Sequence, residues 1–135
     1  MTVETGKQYH TDQVHFLRKA ITYADDGSTV SLGWLPARAT VIDAGVVVET
    51  AFDGGTTNTL DIGFRNAGDG TAADTDEFAT DLALGTAGRI VADEMATAGD
   101  LTFPGGAEVV GVVTSTASAT AGAGTVYLTY IVDNT

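Results

Sequence analysis

Residues 41–52 alternate between apolar and polar side chains, and this period of two constrains the fold more than any other pattern in the chain. Apolar residues, with one threonine, occupy every second position from Ile42 to Phe52, and Asp43 and Glu49 lie between them. Successive side chains of a β-strand point to opposite faces of a sheet, so the spacing predicts a strand with one buried face. Residues 41–52 therefore indicate a β-sheet core with Ile42 on its inner side.

Further alternating segments surround this one and predict a protein made almost entirely of strands. Turn-forming residues separate three pairs of segments, which predicts three hairpins. The pairs are residues 13–22 with 29–34, residues 41–52 with 60–64, and residues 108–114 with 125–132. Short strands at residues 89–92 and 100–103 bring the number to about seven or eight, as in β-sandwiches and jelly rolls.

One short helix is predicted at residues 74–84. Phe78 and Leu82 are four residues apart and would share a helix face, and Gly85 and Gly88 would end the helix. Acids near its start would interact favourably with the helix dipole. The predicted fold is therefore an all-β, single-domain β-sandwich or jelly roll with one short helix.

A length of 135 residues fits a single domain. We expect an N-terminal arm at residues 1–12, which are polar and lack a burial pattern, and a β-sandwich or jelly-roll domain at residues 13–135. Such an arm would fray in a monomer or lie on a neighbour in an assembly. No apolar run has the length of a membrane span or a secretory signal, so we expect neither membrane insertion nor Sec export. The absence of cysteine excludes disulfides and thiolate metal ligands.

The chain is strongly acidic, with 18 acids, six bases and a formal net charge of -12. Only one base, Arg89, follows Arg65. Phosphate backbones are bound by clustered lysines and arginines, so the charge predicts no nucleic-acid partner. The acids favour solubility in one interpretation. In another they reflect adaptation to high salt, which predicts that folding improves as salt screens the self-repulsion.

The sequence contains no recognisable catalytic motif. His10 and His15 are five residues apart, which suits neither two ligands on one strand face nor adjacent helical turns, and no nucleophile motif accompanies them. The glycines do not form a phosphate-binding loop with a lysine. We therefore expect no catalytic residues, no cofactor and no metal site, and a protein that is not an enzyme.

A group of acids is nevertheless the best candidate for a ligand site. Carboxylates in a loop suit calcium, although the spacing here is not that of an EF-hand. Solvation and capping of the predicted helix explain the same residues without a metal. The group consists of Asp69, Asp74, Asp76 and Glu77. Three further acids stand at predicted turns, where Asp is favoured for backbone reasons: Asp25, Asp26 and Asp53.

Aromatic residues offer a different kind of binding surface. Trp34, together with Tyr9, Tyr23 and Tyr127, suits stacking against sugar rings. Trp34 lies on the apolar face of its predicted strand, however, and this position favours the core.

Residues 35–63 resemble small virion proteins of tailed bacteriophages. The resemblance is carried by Leu35-Pro36-Ala37, the strand at residues 41–52, Asp53-Gly54-Gly55, and Leu60-Asp61-Ile62-Gly63. In that family a proline-marked start leads to a valine-rich strand, an aromatic residue, a glycine turn and a short strand that ends in glycine. The similarity extends loosely to residues 76–84 and 109–132. It implies a jelly roll or β-sandwich that decorates or cements the capsid, forms the base of head fibres, or lies in the tail.

The function implied by this resemblance is capsid decoration or cementing. We expect a homo-oligomer that binds between subunits of the major capsid protein on the outer capsid surface, with no nucleic-acid or membrane partner. The strand after Pro36 and the N-terminal arm are the expected contacts, and many weak contacts add up on a symmetric shell. The alternatives are a tail or baseplate protein, a carbohydrate-binding module with an exposed Trp34 or Tyr127, and an enzyme with a cleft around Asp74, Asp76 and Glu77.

Overall fold

The computed structural model describes residues 13–133, and the arm predicted at residues 1–12 lies outside the described residues. The described part has this order of elements: β1 His15–Thr22, a 3-10 turn Tyr23–Asp25, β2 Thr29–Leu35, β3 Ala39–Thr50, β4 Asn58–Arg65, β5 Asp74–Ala83, β6 Gly88–Val91, β7 Thr102–Phe103, β8 Ala107–Ser115 and β9 Ala123–Val132. None of the helical residues within 13–133 forms a segment long and apolar enough to cross a bilayer.

The strands form two antiparallel sheets that pack face to face. Sheet I has the order β1-β9-β3-β6, and β7 also pairs with β3. Sheet II has the order β2-β8-β4-β5. The last strand lies between the first and the third, and most consecutive strands cross from one sheet to the other, as in a jelly roll. The prediction of an all-β sandwich or jelly roll is confirmed.

The three predicted hairpins are wrong as strand pairs. In each of them the two strands lie in opposite sheets: β1 and β2, β3 and β4, and β8 and β9. The turns between them connect the two layers. An alternating strand buries its apolar face equally well whichever strand lies beside it, so the local pattern does not specify its hydrogen-bonding neighbour.

Two β-bulges reverse the faces that were predicted for Ile42 and Trp34. One extra residue on β3, opposite β9, places Val41 in the core and leaves Ile42 46% exposed. One extra residue on β2, opposite β8, leaves Trp34 59% exposed. A bulge shifts the period-two pattern by one residue, so every later side chain changes face. The prediction that Trp34 belongs to the core is therefore wrong.

The helix predicted at residues 74–84 is also wrong, because this segment contains strand β5. The register against β4 shifts twice, and at one shift β5 advances three residues while β4 advances two. Asp81, with a φ of 54°, adopts a left-handed conformation there. Phe78 and Leu82 are both buried, and residues four positions apart share a face in a strand as well as in a helix, so this spacing does not distinguish the two.

The core lies between the sheets, and three phenylalanine rings pack within it. The ring centroids of Phe64 and Phe103 are 4.9 Å apart, and Phe78 lies 6.2 Å from Phe103 and 6.3 Å from Phe64. Phe103 meets both of the other rings edge to face, an arrangement that aromatic quadrupoles favour. Burial of this ring explains how a strand as short as β7 is held against β3.

Candidate interaction surfaces

Large apolar side chains are exposed on the outer face of sheet I, on the side away from the core. They come from β1, β3, β6 and β9, and their exposed fractions range from 37% to 65%. Residues of other kinds separate them, since Phe16 is opposite Thr129 and Val91 is opposite Gly45 on neighbouring strands. Several large apolar side chains exposed on one sheet face make that face a candidate interaction surface. We call this surface the apolar face and define it by Phe16, Ile42, Val47, Val91 and Ile131.

An arginine held by a tyrosine lies among these apolar side chains. Arg89 donates a hydrogen bond from Nε to the hydroxyl of Tyr127 at 2.9 Å, and its guanidinium lies 5.6 Å from the centroid of that ring. Its Nη2 is 3.6 Å from a carboxylate oxygen of Asp43. Gly45 leaves room for this group, because a Cβ there would fall 2.6 Å from the Tyr127 hydroxyl. Arginine and tyrosine held in one geometry beside apolar residues are typical of protein interfaces.

The acids are concentrated away from the apolar face. On the outer side of sheet I, Arg18 and Arg89 balance Asp43 and Glu49. Residues 74–83 of β5 and the segment 93–100 that packs against it contain acids and no base. The acids are Asp74, Asp76, Glu77, Asp81, Asp93, Glu94 and Asp100. The molecule is therefore electrostatically polarised, with one nearly neutral face and one strongly negative edge.

Three of the four predicted calcium ligands meet in one open groove at this negative edge. Asp74, Asp76 and Glu77 line it together with Glu94. A hydrogen bond between the carboxyl groups of Asp74 and Asp76 raises the pKa of Asp76 to about 6 and lowers the pKa of Asp74. Two neighbouring carboxylates repel each other when both are ionised, so one of them keeps its proton to a higher pH than an isolated aspartate does. Glu77 accepts hydrogen bonds from the backbone amides of residues 99 and 100 at 2.7 and 3.2 Å.

The fourth predicted ligand, Asp69, does not join the groove. It accepts hydrogen bonds from the hydroxyl and the backbone N–H of Thr71 at 2.7 and 3.0 Å, and these bonds lower its pKa. Within residues 13–133, no group of three or more His, Asp or Glu side chains is arranged to hold a metal ion. What the contacts do show is a structural role, since Glu77 ties residues 99–100 to β5.

Trp34 lies beside an ion pair that the sequence analysis did not identify. Glu108 of β8 is opposite both Trp34 and Arg65 on the flanking strands. Arg65 donates to the two carboxylate oxygens of Glu108 at 2.7 and 3.3 Å, and Asn66 donates at 3.1 Å. The bond from Arg65 above all, then hydrogen bonding by Ser31 and by Asn66, lowers the pKa of Glu108 to about 2. Only the strand register reveals this pair, because 43 residues separate its members.

The acids predicted at turns make backbone contacts. Asp25 accepts a hydrogen bond from the N–H of Thr22 at 2.8 Å and caps the 3-10 turn. Asp26 accepts from the N–H of Ser115 at 2.8 Å, and Asp53 accepts from two amides and a hydroxyl of residues 120–121. Asp26 thus reaches the end of β8 and Asp53 reaches a second loop, contacts that local turn preferences do not predict.

The remaining candidate residues lie apart from one another. His15 of β1 stacks on Tyr130 of β9 with a centroid distance of 5.4 Å. Tyr23 is 43% exposed on the 3-10 turn. His10 and Tyr9 lie outside the described residues. No site with several of these side chains therefore forms in the part of the chain that the structure describes.

Comparison by sequence finds no relative, since no family model matches the chain and no curated protein is significantly similar to it. Comparison by structure finds solved chains with a similar fold. A chain in the capsid of Ralstonia phage GP4 superposes with a TM-score of 0.64 at 22% identity, over 91% of this chain and 86% of that one. This chain shares its fold with chains of bacteriophage capsids.

Two further solved structures support the same statement. A chain in the acidic stable capsid structure of Helicobacter pylori bacteriophage KHP30 has a TM-score of 0.62 at 16% identity, over 87% of this chain and 86% of that one. A chain in the capsid asymmetric unit of cyanophage Pam1 has a TM-score of 0.57 at 22% identity, over 90% and 84%. The likeness covers nearly the whole jelly roll of this chain.

Proposed function

We propose that this chain is a structural protein of a bacteriophage virion that decorates or cements the capsid shell by binding between major capsid subunits. The observation that carries the proposal is the apolar face, because several large apolar side chains exposed on one side of a sheet are typical of a surface that binds a partner. The shared fold with chains of three phage capsids supports it, since jelly rolls recur in viral capsids. The function requires binding and no chemical step.

The polarity of the molecule supports a position on the outer surface of the shell. With the apolar face of sheet I against the capsid, the acidic strand β5 would lie in sheet II, on the other side of the core from the shell. Packaged DNA would repel such an edge, whereas water and counterions solvate it. We propose in addition that the chain binds the shell as a homo-oligomer, and that residues 1–12 act as an arm next to the domain of residues 13–135.

The test is co-sedimentation with capsid shells assembled without this chain. We expect saturable binding at a copy number set by the shell symmetry. Val47→Glu and Val91→Glu place charge on the apolar face and should each weaken binding at least about tenfold, or about 1.4 kcal/mol. Tyr23→Glu is the matched control, since Tyr23 is comparably exposed but lies on the 3-10 turn. Equal binding by all three variants would contradict the proposal, and binding to tails but not to heads would favour a tail or baseplate protein.

A carbohydrate-binding module is the second candidate, and the exposure of Trp34 favours it. The ring is 59% exposed and lies beside the fixed Arg65–Glu108 pair, a combination of stacking surface and hydrogen-bonding groups that suits a sugar. Trp34 is the single tryptophan of the chain, so its fluorescence reports on this place alone. A saturable fluorescence change on titration with soluble oligosaccharides, lost in Trp34→Ala, would support this function. An unchanged spectrum throughout the titration would exclude it.

A further inference from the structure

Strand β1 has one edge that is unpaired among the described residues, 13–133. It forms the end of sheet I and pairs with β9 along its full length, from His15 to Thr22. No other strand of residues 13–133 pairs with its outer side. In an antiparallel strand, alternate residues direct their N–H and C=O groups away from the neighbour. β1 therefore presents a row of backbone donors and acceptors that is suited to an added strand.

The other sheet edges are shorter or obstructed. A segment beside β5 occupies its outer edge, where the N–H of Glu94 donates to the carbonyl of Phe78 at 3.1 Å and Asp93 accepts from the N–H of Thr80 at 3.0 Å. β6 has four residues, and the bulge in β2 interrupts its ladder. Bulges and covering loops protect sheet edges from pairing. β1 is thus the edge with the longest regular ladder.

The side chains of β1 give this edge a chemical preference. Arg18 and Lys19 are adjacent in a chain of net charge -12, and they line a shallow cavity of about 300 Å³ with Ala20 and Thr125. Successive residues of a strand point to opposite faces, so one base lies above the sheet and the other below it. Phe16, on the same strand, is 65% exposed and belongs to the apolar face. The basic edge is thus continuous with that face.

Charge selects the occupant. If β1 paired with β1 of a second copy in antiparallel register, residues opposite each other would come from the same face of the strand. In the two central registers Arg18 would therefore lie opposite Arg18 of the other copy, or Lys19 opposite Lys19. Like charges directly opposite each other in a sheet are destabilising, whereas opposite charges stabilise. An acidic segment with two successive carboxylates satisfies both bases, one on each face of the sheet.

We propose that β1 binds an extended acidic segment of a neighbouring capsid subunit as an additional strand of sheet I. This inference rests on the proposed function, and it adds the mode of attachment and the chemistry of the partner segment. Backbone hydrogen bonds supply the affinity, and the pairing of carboxylates with Arg18 and Lys19 sets the register. Phe16 extends the contact onto the apolar face.

The experiment measures amide hydrogen exchange of the full chain, residue by residue, free and bound to capsid shells assembled without it. In β1, the amides that are not bonded to β9 should exchange at least tenfold more slowly on the shell. The double variant R18E/K19E should bind at least tenfold more weakly and lose this protection. R18K/K19R keeps both charges and should bind like the wild type. Fluorescence of Trp34 verifies that both variants are folded.

Two results would overturn the inference. One is shell binding without slower exchange in β1, which would leave the proposed function intact and remove only strand addition. The other is unchanged binding of R18E/K19E, which would show that the two bases merely protect a free edge from pairing. Failure of the wild-type chain to bind shells at all would refute the proposed function and the inference together.

Discussion

The buried carboxylate of Glu108 makes the stability of this fold depend on pH, and Glu108→Gln tests that dependence. The side chain is 9% exposed and accepts hydrogen bonds from Arg65 and Asn66. Glutamine keeps the size of the side chain and removes the charge. The pKa of Glu108 is about 2 in the folded chain, against an ordinary value of 4.5. An acid with a lowered pKa stabilises the native state above its ordinary pKa, and this contribution is lost as pH falls from 4.5 towards 2.

The magnitude follows from the same two pKa values. Each pKa unit corresponds to about 1.4 kcal/mol, so the full difference corresponds to roughly 3 kcal/mol at pH 7. Solvent screens the pair at Arg65, whose side chain is 39% exposed, and this reduces the expected contribution. We expect Glu108→Gln to lower the free energy of unfolding by about 2 kcal/mol at pH 7. At pH 3 the deficit should fall to less than about half of that value.

Urea unfolding monitored by Trp34 fluorescence measures both quantities, and Trp34 lies opposite Glu108 on the neighbouring strand. The control is Glu49→Gln, which removes an exposed carboxylate from β3 and should change stability by less than about 0.5 kcal/mol. A deficit of equal size at pH 7 and pH 3 would refute the argument, because the loss would then come from packing and not from the ionised carboxylate.

Three further perturbations test other parts of the fold. Gly63→Ala would place a Cβ against the backbone of Asp74 and should lower the free energy of unfolding by at least about 3 kcal/mol. In the control Gly111→Ala the added Cβ lies 3.4 Å from its nearest neighbouring atom, and the loss should be less than about 1 kcal/mol. Equal melting temperatures of the two variants would contradict this prediction. Asp81→Gly should raise the melting temperature and Asp81→Ala should lower it, because the φ of 54° suits glycine best; the reverse order would argue against the bulge. The pKa of Asp76 is raised to about 6, so the ionised carboxylate destabilises the native state above that pH, and this penalty disappears as pH falls towards 3.8. Asp76→Asn should therefore raise the melting temperature at pH 7. Calorimetry should also show that the melting temperature of this variant rises less between pH 7 and pH 5 than that of the wild type.

The candidate surfaces were predictable only where residues are close in sequence. Asp74, Asp76 and Glu77 line one groove, and the sequence grouped them because they are neighbours on one segment. The ion pair of Glu108 was missed because its partner stands on another strand. The apolar face was missed for the same reason, since its members come from four strands and share a surface only through their register.

The alternation of side chains identified most strands, because a period of two is a local property of the extended backbone. Strands at β3, β8 and β9, and a fold with two apolar inner faces, follow from it directly. Their partners do not, since an apolar face is buried equally well by any sheet order that closes the core. Bulges are decided by the fit between neighbouring strands, and each one reverses the pattern beyond it. Pairing across the assembled sheets therefore determined that Trp34 and Ile42 face solvent, and that no strand of residues 13–133 pairs with the outer edge of β1.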